Sequence, residues 1–153
     1  MFLDSYEINK ETLLILPLDK NSSKVYENND IYIVNMSCFD IICRSCLFFG
    51  SSYEGRSIST KDMINSSMKL PIIIEESNCI IFFPTCAVKS NKCIWVNYTN
   101  ILKFSKIDNL STLLIFKNNV NISLDVKYNI LDNQIIRCIK LETVWKRRKK
   151  VIN

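Results

Sequence analysis

Apolar and polar positions in the first quarter of the chain group into short strand-like pieces. YEI (6–8), TLLILP (12–17), KVYEN (24–28) and IYIVN (31–35) read as strands, separated by polar pairs such as Asn9-Lys10 and Asn29-Asp30 that suit hairpin turns. From Ser37 the period changes. Phe39, Ile42, Cys43, Cys46 and Phe49 recur at i, i+3, i+4, i+7 and i+10, one face of a helix over 37–49. Ser37 supplies its N-cap with Asp40 three residues on, and Gly50 supplies a left-handed stop. Residues 51–69 are polar and read as a loop with a short helix.

PIIIEE (71–76) and CIIFFPT (79–85) flank Ser77-Asn78 as a compact hairpin with two buried strands. CIWVNYTNILKF (93–104), TLLIFKN (112–118) and VNISLDV (120–126) read as three further strands, the last two joined by a tight asparagine turn. From Tyr128 onward, Leu131, Ile135, Cys138, Ile139 and Trp145 cover about half of a helical cylinder, giving a long helix near 129–147. The expected fold class is α+β, a single domain dominated by antiparallel strands with a helix at 37–49 and a longer C-terminal one. No repeat or low-complexity linker divides the chain, so the domain is placed at 1–145 and a basic tail at 146–153.

Composition narrows the class without changing the fold. At 153 residues, 48% hydrophobic and 23% charged, the chain is ordinary globular protein rather than a disordered segment. No apolar run approaches the ~20 residues of a membrane span. The start, MFLDSYEINK, lacks the basic-then-apolar order of a secretory signal. A cytoplasmic location with no membrane partner is expected, where the seven cysteines are reduced thiols.

The net charge of +5 is concentrated. Lys146-Arg147-Arg148-Lys149-Lys150 holds five of the 20 basic residues, leaving 15 against 15 acidic ones elsewhere. Such a run is either a solvated tail or an anchor for nucleic acid or another anionic surface.

Candidate chemistry centres on GSSYEGRS (50–57), which holds both glycines of the chain. Its spacing matches a phosphate-binding P-loop with Arg56 in place of lysine. That motif needs a strand before the loop and a parallel βαβ frame, whereas the preceding residues read as helix and the strands as hairpins. A nucleophile elbow needs one residue fewer between Ser52 and Gly55. The chain has no histidine, so neither a Ser-His nor a Cys-His pair can form within it, and an enzyme is not expected. Cys43-x-x-Cys46 with Cys86 and Cys93 offers four thiols for zinc. However, the second pair is spaced too widely and the first lies on the apolar helix face, so neither metal nor cofactor is expected. What remains over 44–61, with Lys69 nearby, is a set of phosphate-contacting residue types without a reactive group.

The order of motifs adds to this. RSCLFFGSSYEGR (44–56), MKLPIIIEESNCIIFFPT (68–85), CIW (93–95) and KYNILDNQIIRC (127–138) together closely resemble the ComK competence transcription factors of Gram-positive bacteria. SYEIN (5–9) and VNM (34–36) are similar to that family's opening, so the resemblance covers about residues 5 to 145. It implies a transcriptional activator of competence genes that binds AT-rich promoter boxes through the minor groove of double-stranded DNA. It also implies a homo-oligomer, a dimer or larger, with RNA polymerase and a proteolytic adaptor as further partners. Arg44, Ser51, Ser52, Tyr53, Gly55, Arg56, Lys69, Asn78, Trp95, Asn133, Gln134 and Arg137 match the family's motifs. The candidate DNA-binding set is Arg44, Ser51, Ser52, Tyr53, Arg56, Lys61, Lys69, Lys146, Arg147 and Arg148, with Arg56, Lys61 and Lys69 foremost and Gly55 as the bend presenting Arg56. Arg44 has an alternative as a carboxylate's partner, and Trp95 as core. Family members commonly continue past the position of Asn153 with a tail implicated in proteolytic control, and such control is not expected of a chain stopping there. The alternative reading is a shortened paralogue that modulates full-length activators by protein contact, without DNA binding of its own.

Overall fold

Successive side chains of a strand point to opposite faces of its sheet, so a strand of unbroken apolar residues requires cover on both sides. The computed structural model, which describes residues 1–152 and side chains as far as residue 150, supplies that cover. Its central layer is a seven-stranded sheet. It comprises β1 (Phe2–Leu3), β2 (Thr12–Asp19), β3 (Ser22–Glu27), β4 (Ile31–Val34), β5 (Ile72–Glu75), β6 (Ile80–Pro84) and β7 (Trp95–Asn97). The strand order is β1-β4-β3-β2-β7-β6-β5, antiparallel throughout except for the parallel β1–β4 pair.

Side chains of this sheet sort by parity into two cores. Ile15, Ile72, Ile74, Ile80, Phe82 and Trp95 face α1 (Cys38–Phe48), while Leu14, Ile73, Ile81, Phe83 and Val96 face the opposite way. That second face is covered by α3 (Tyr128–Ile152) and by a separate antiparallel sheet, β10-β9-β8, of β8 (Ile101–Lys106), β9 (Thr112–Phe116) and β10 (Asn121–Leu124). Each buried Ile or Phe contributes on the order of 1.5–3 kcal/mol, and β6, like β2, β5 and β7, contributes to both cores.

The α+β class and the 71–85 hairpin are as expected, and the long terminal helix runs further than its predicted end. Four local expectations change. Residues 6–8 form no strand; Tyr6 and Ile8 are buried in an irregular segment held from outside. The Tyr6 hydroxyl is 2.6 Å from Thr12 Oγ1 and donates to Glu27, and the Ile8 N–H donates to Ser45 Oγ at 2.9 Å. The predicted 93–104 strand breaks at Asn97, whose amide donates to the Thr12 carbonyl (2.8 Å) while its Oδ1 accepts from the Thr99 N–H (3.0 Å). One side chain thus ends β7 and caps a 3-10 turn over Tyr98–Asn100, and the chain leaves one sheet for the other. On α1 the buried face is Cys38, Ile41, Ile42, Ser45 and Cys46, rotated from the predicted one because it accommodates Ser45 as a partner for Ile8. Finally, the polar stretch after Gly50 is a three-turn helix, α2 (Tyr53–Ile64), in which only Thr60 and Ile64 are buried. Polar bonds hold it, such as Thr60 Oγ1 to the Pro71 carbonyl at 2.8 Å, and so no apolar stripe marks it in the sequence.

Gly50 closes α1 as expected. At φ +85° it donates to the Leu47 carbonyl (3.0 Å), and the Ser51 N–H donates to the Cys46 carbonyl (2.9 Å), the two bonds of a Schellman motif. A Cβ at Gly50 would meet nothing within 4 Å, so only backbone strain opposes one. Gly50→Ala should lower unfolding free energy by about 1 kcal/mol, and Gly50→Asn by less, in urea titrations. Equal midpoints for Gly50→Ala and the parent would refute the assignment.

Candidate nucleic-acid interface

Five successive cations on a regular helix are spread round its whole circumference, because each residue turns by 100°. The run Lys146–Lys150 is such a helix, the end of α3, where positive charge also complements the helix dipole. Several of its members are anchored. Lys146 Nζ lies 3.2 Å from Glu142 Oε2 one turn earlier, and Arg148 Nη1 lies 2.9 Å from Asp62 Oδ2 of α2. Lys149 Nζ sits 4.8 Å from the centre of the Trp145 ring. Among the described residues, Arg147, Lys149 and Lys150 have no carboxylate partner.

Facing them is the β5–β6 turn. The Glu75 carboxylate accepts from the N–H groups of Ser77 (3.1 Å) and Asn78 (2.8 Å). Burial works against its charge, but these bonds and the Ser77 hydroxyl outweigh it and hold the carboxyl below its usual range. Between turn and helix lies a cleft of about 500 Å³, lined by Glu76, Ser77, Asn78 and Cys79 on one side and by Trp145, Lys146, Lys149 and Lys150 on the other. Glu142 ties the two walls together. Its carboxylate accepts from the Tyr98 hydroxyl at 3.2 Å and from the Cys79 thiol at 3.8 Å. Burial, reinforced by that carboxylate, raises the Tyr98 hydroxyl and pushes Cys79 up to about 11, so both remain neutral donors near pH 7.

Two further contacts brace the cleft from α2. Arg56 Nη1 is 2.8 Å from Glu76 Oε1, with the Arg56 side chain only 14% exposed, and Asp62 holds Arg148 as described. Below it, Arg137 of α3 clamps the 65–70 loop. Its Nη1 donates to the Lys69 carbonyl (2.8 Å), and its Nη2 to Ser66 Oγ (2.5 Å) and the Met68 carbonyl (2.6 Å). Gln134, buried beside it, donates to the carbonyls of Lys69 (2.9 Å) and Pro84 (2.7 Å). Lys69 itself has φ +50° and an exposed side chain.

The structure therefore gathers Arg56, Lys146 and Arg148 of the sequence-based candidates, with Lys61 next to Asp62 on α2, and turns Arg56 toward a carboxylate. Gly55 is not a bend but the first turn of α2, donating to its N-cap Ser52 at 3.0 Å. Ser51 belongs to the α1 stop, and Tyr53 packs edge-on to Phe39 with ring centres 4.8 Å apart. Arg44 is bound to Glu7 of the N-terminal segment at 2.7 Å, apart from the cleft. Trp95 is wholly buried. Lys149, Lys150 and Trp145 went unselected from the sequence, although the basic run and the apolar helix face signalled each of them. Among the described residues no three Cys, Asp or Glu side chains form a metal-holding group, and no helix is long and apolar enough to cross a membrane. Cys46, on the buried face of α1, is pushed up to about 12 by that burial.

Comparison with known proteins supplies the lineage. The sequence model of the family described as ComK protein matches residues 3–150. The competence transcription factor of Bacillus subtilis (strain 168) is 36% identical over 150 residues, covering 96% of this chain and 76% of the relative. No solved structure matches.

Arg137 is the clamp on which the Lys69 loop rests, since its removal takes the donor from the Met68 carbonyl and the Ser66 hydroxyl and leaves the Lys69 carbonyl with Gln134 alone. Arg137→Ala should cost about 2–4 kcal/mol in chemical unfolding and speed proteolysis within 65–70. Arg137→Lys should not restore the loss, because an ammonium lacks the planar fork. Full recovery with lysine would show that charge alone suffices.

Proposed function

The chain belongs to the ComK family, and on that premise we propose that it is a transcriptional activator of competence genes that acts in the cytoplasm on AT-rich double-stranded DNA. It is a regulator, not an enzyme. The observation that carries the DNA-binding site is the cleft where three lysines and a tryptophan of α3 face Asn78 of the β5–β6 turn. Lys146, Arg147, Lys149 and Lys150, with Lys61 and Lys69 alongside, contact phosphates. AT-rich duplexes are favoured because their narrow minor groove is strongly electronegative and attracts inserted cations, while an asparagine amide bonds the base acceptors at its floor. Arg56 and Arg148 hold α2, the turn and the helix end in register. Arg44, Ser51, Ser52 and Tyr53 enter only through the packing of α1 and α2. Leu47 and Phe48 at the end of α1, both exposed, support self-association of the bound form.

A second reading rests on those same apolar residues: a module that joins other members of its family and tempers them without touching DNA. Mixed assemblies lacking DNA affinity would favour it.

Fluorescence anisotropy with AT-rich and GC-rich duplexes across a salt series decides between the two. Tighter binding to the AT-rich duplex is expected, falling steeply with salt. Joint replacement R147Q/K149Q/K150Q should shrink the salt slope by roughly 3 and weaken binding to both duplexes. Arg56→Ala should weaken affinity by roughly tenfold while leaving the slope almost unchanged, because it frees Glu76 beside the cleft without removing a phosphate contact. Equal weak affinity for both duplexes would end the claim of recognition, and an unaltered slope in the triple variant would remove α3 from the interface.

A further inference from the structure

The connection from β6 to β7 carries two thiols that DNA binding does not use. Pairing of these strands runs Phe82↔Asn97, Phe83↔Val96 and Pro84↔Trp95. It continues past the strand ends, since the Thr85 N–H donates to the Ile94 carbonyl at 2.9 Å and the Ile94 N–H to Thr85 Oγ1 at 3.0 Å. One step further, a regular continuation of this register would set Cys86 against Cys93. In an antiparallel ladder the pair next to a hydrogen-bonded one is the narrow kind, with Cα atoms about 4.5 Å apart and side chains close on one face. A disulfide needs Cα atoms about 4.4–6.8 Å apart, a range that includes such a pair. Cys93 Sγ lies 3.6 Å from the Cys86 carbonyl oxygen, which places the sulfur directly beside the facing residue. Two turn bonds close the segment between them, Ser90 N–H to Ala87 O at 2.9 Å and Cys93 N–H to Ser90 O at 3.2 Å.

The two thiols differ in access. Cys86 is half-buried at the rim, whereas Cys93 is 2% exposed and packs in the α1-side core with Trp95. Burial pushes the Cys93 thiol up to about 12, with the nearby Cys86 sulfur adding to the rise and backbone hydrogen bonding at Cys86 and Thr85 opposing it. Of the other five, Cys38, Cys46 and Cys138 are buried inside the cores, Cys79 is bonded to Glu142, and Cys43 is half-buried on α1.

We propose that Cys86 and Cys93 are a reversible disulfide site, with Cys86 as the attacking thiol and Cys93 as the resolving one. The Cys86 thiolate attacks one sulfur of a low-molecular-weight disulfide of the glutathione type, forming a mixed disulfide and releasing one small thiolate. Cys93 then gives its proton to solvent base and displaces the second small thiolate from Cys86. The protein loses two electrons and two protons, and the small disulfide gains them to become two thiols. Because Cys93 holds its proton firmly, ring closure is the slow step, accelerating with pH as its thiolate fraction grows. The bond pins residues 86–93, part of one wall of a groove of about 760 Å³ that is also lined by Leu110, Val126 and Ile130.

The test is incubation of the purified chain with glutathione disulfide, followed by alkylation, thiol titration and peptide mass spectrometry. Free thiols should fall from seven to five, and trypsin, which cuts at Lys89 and Lys92, should release two peptides joined through Cys86 and Cys93. The melting temperature should rise by about 5 °C and return on adding dithiothreitol. Cys93→Ala should stop at the mixed disulfide on Cys86. Cys86→Ser, at a half-buried rim position that spares the core, should leave Cys93 unoxidised. Closure should be about tenfold faster for each pH unit between roughly 7 and 9. Seven remaining thiols, a bond between other cysteines or between two chains, or a closure rate indifferent to pH would each overturn the proposal.

Discussion

Burial of the central sheet on both faces is the constraint from which the other features follow. Phe82 and Phe83 are neighbours in sequence yet belong to different cores, one under α1 and one under α3 with the second sheet. A polar side chain in that position is costly without an internal partner, because an unpaired buried polar group costs on the order of 1–3 kcal/mol. Most buried polar side chains have one, while the Trp95 indole N–H of β7 is buried without a partner among the described residues. Asn97, Ser45, Thr60 and Gln134 each bond the backbone of a segment distant in sequence. Those bonds dock the irregular segments onto the sheet.

The cleft inherits its rigidity from the same layers. α3 lies on the sheet through Leu131, Ile135, Cys138 and Leu141, and this fixes where its last turns emerge beside the β5–β6 turn. Glu142 and Arg56 then secure the turn, and Arg137 secures the 65–70 loop. Anchored cations have little rotamer freedom left to lose on meeting an anion, while Arg147 and Lys150 remain as long, hydrated charges. The site thus combines a preset shape with mobile counter-charge, an arrangement suited to a polyanion of regular spacing.

Legibility from sequence followed apolar periodicity. The β5–β6 hairpin, the β9–β10 pair, α1 and α3 all carry an apolar pattern, and each was recognisable from it. α2 carries none; its caps Ser52 and Asn65 are local, and the polar bonds that hold it, to Pro71 and Glu76, are pairings across the fold. The break at Asn97 was hidden for a related reason. A β-rich run reads as one strand unless the side chain that interrupts it is known to have a partner, and that partner is Thr12, 85 residues away. Among the candidate contacts, charge was legible but orientation was not. Arg56 and Lys61 look equivalent in the sequence, yet one is turned inward to Glu76 and the other lies exposed.

By itself the sequence determined the fold class, the lineage, the stop at Gly50, the lack of histidine-based chemistry and the basic end of α3. All of these depend on residue identity or on spacing within one element. Tertiary structure alone decided which cations face the same cleft, that a helix starts directly after the Gly50 stop, and that Cys93 Sγ lies beside the Cys86 carbonyl. The division has a physical reason. Periodicity and backbone strain act over a few residues and are written locally, whereas partner choice depends on which distant segments the two cores bring together.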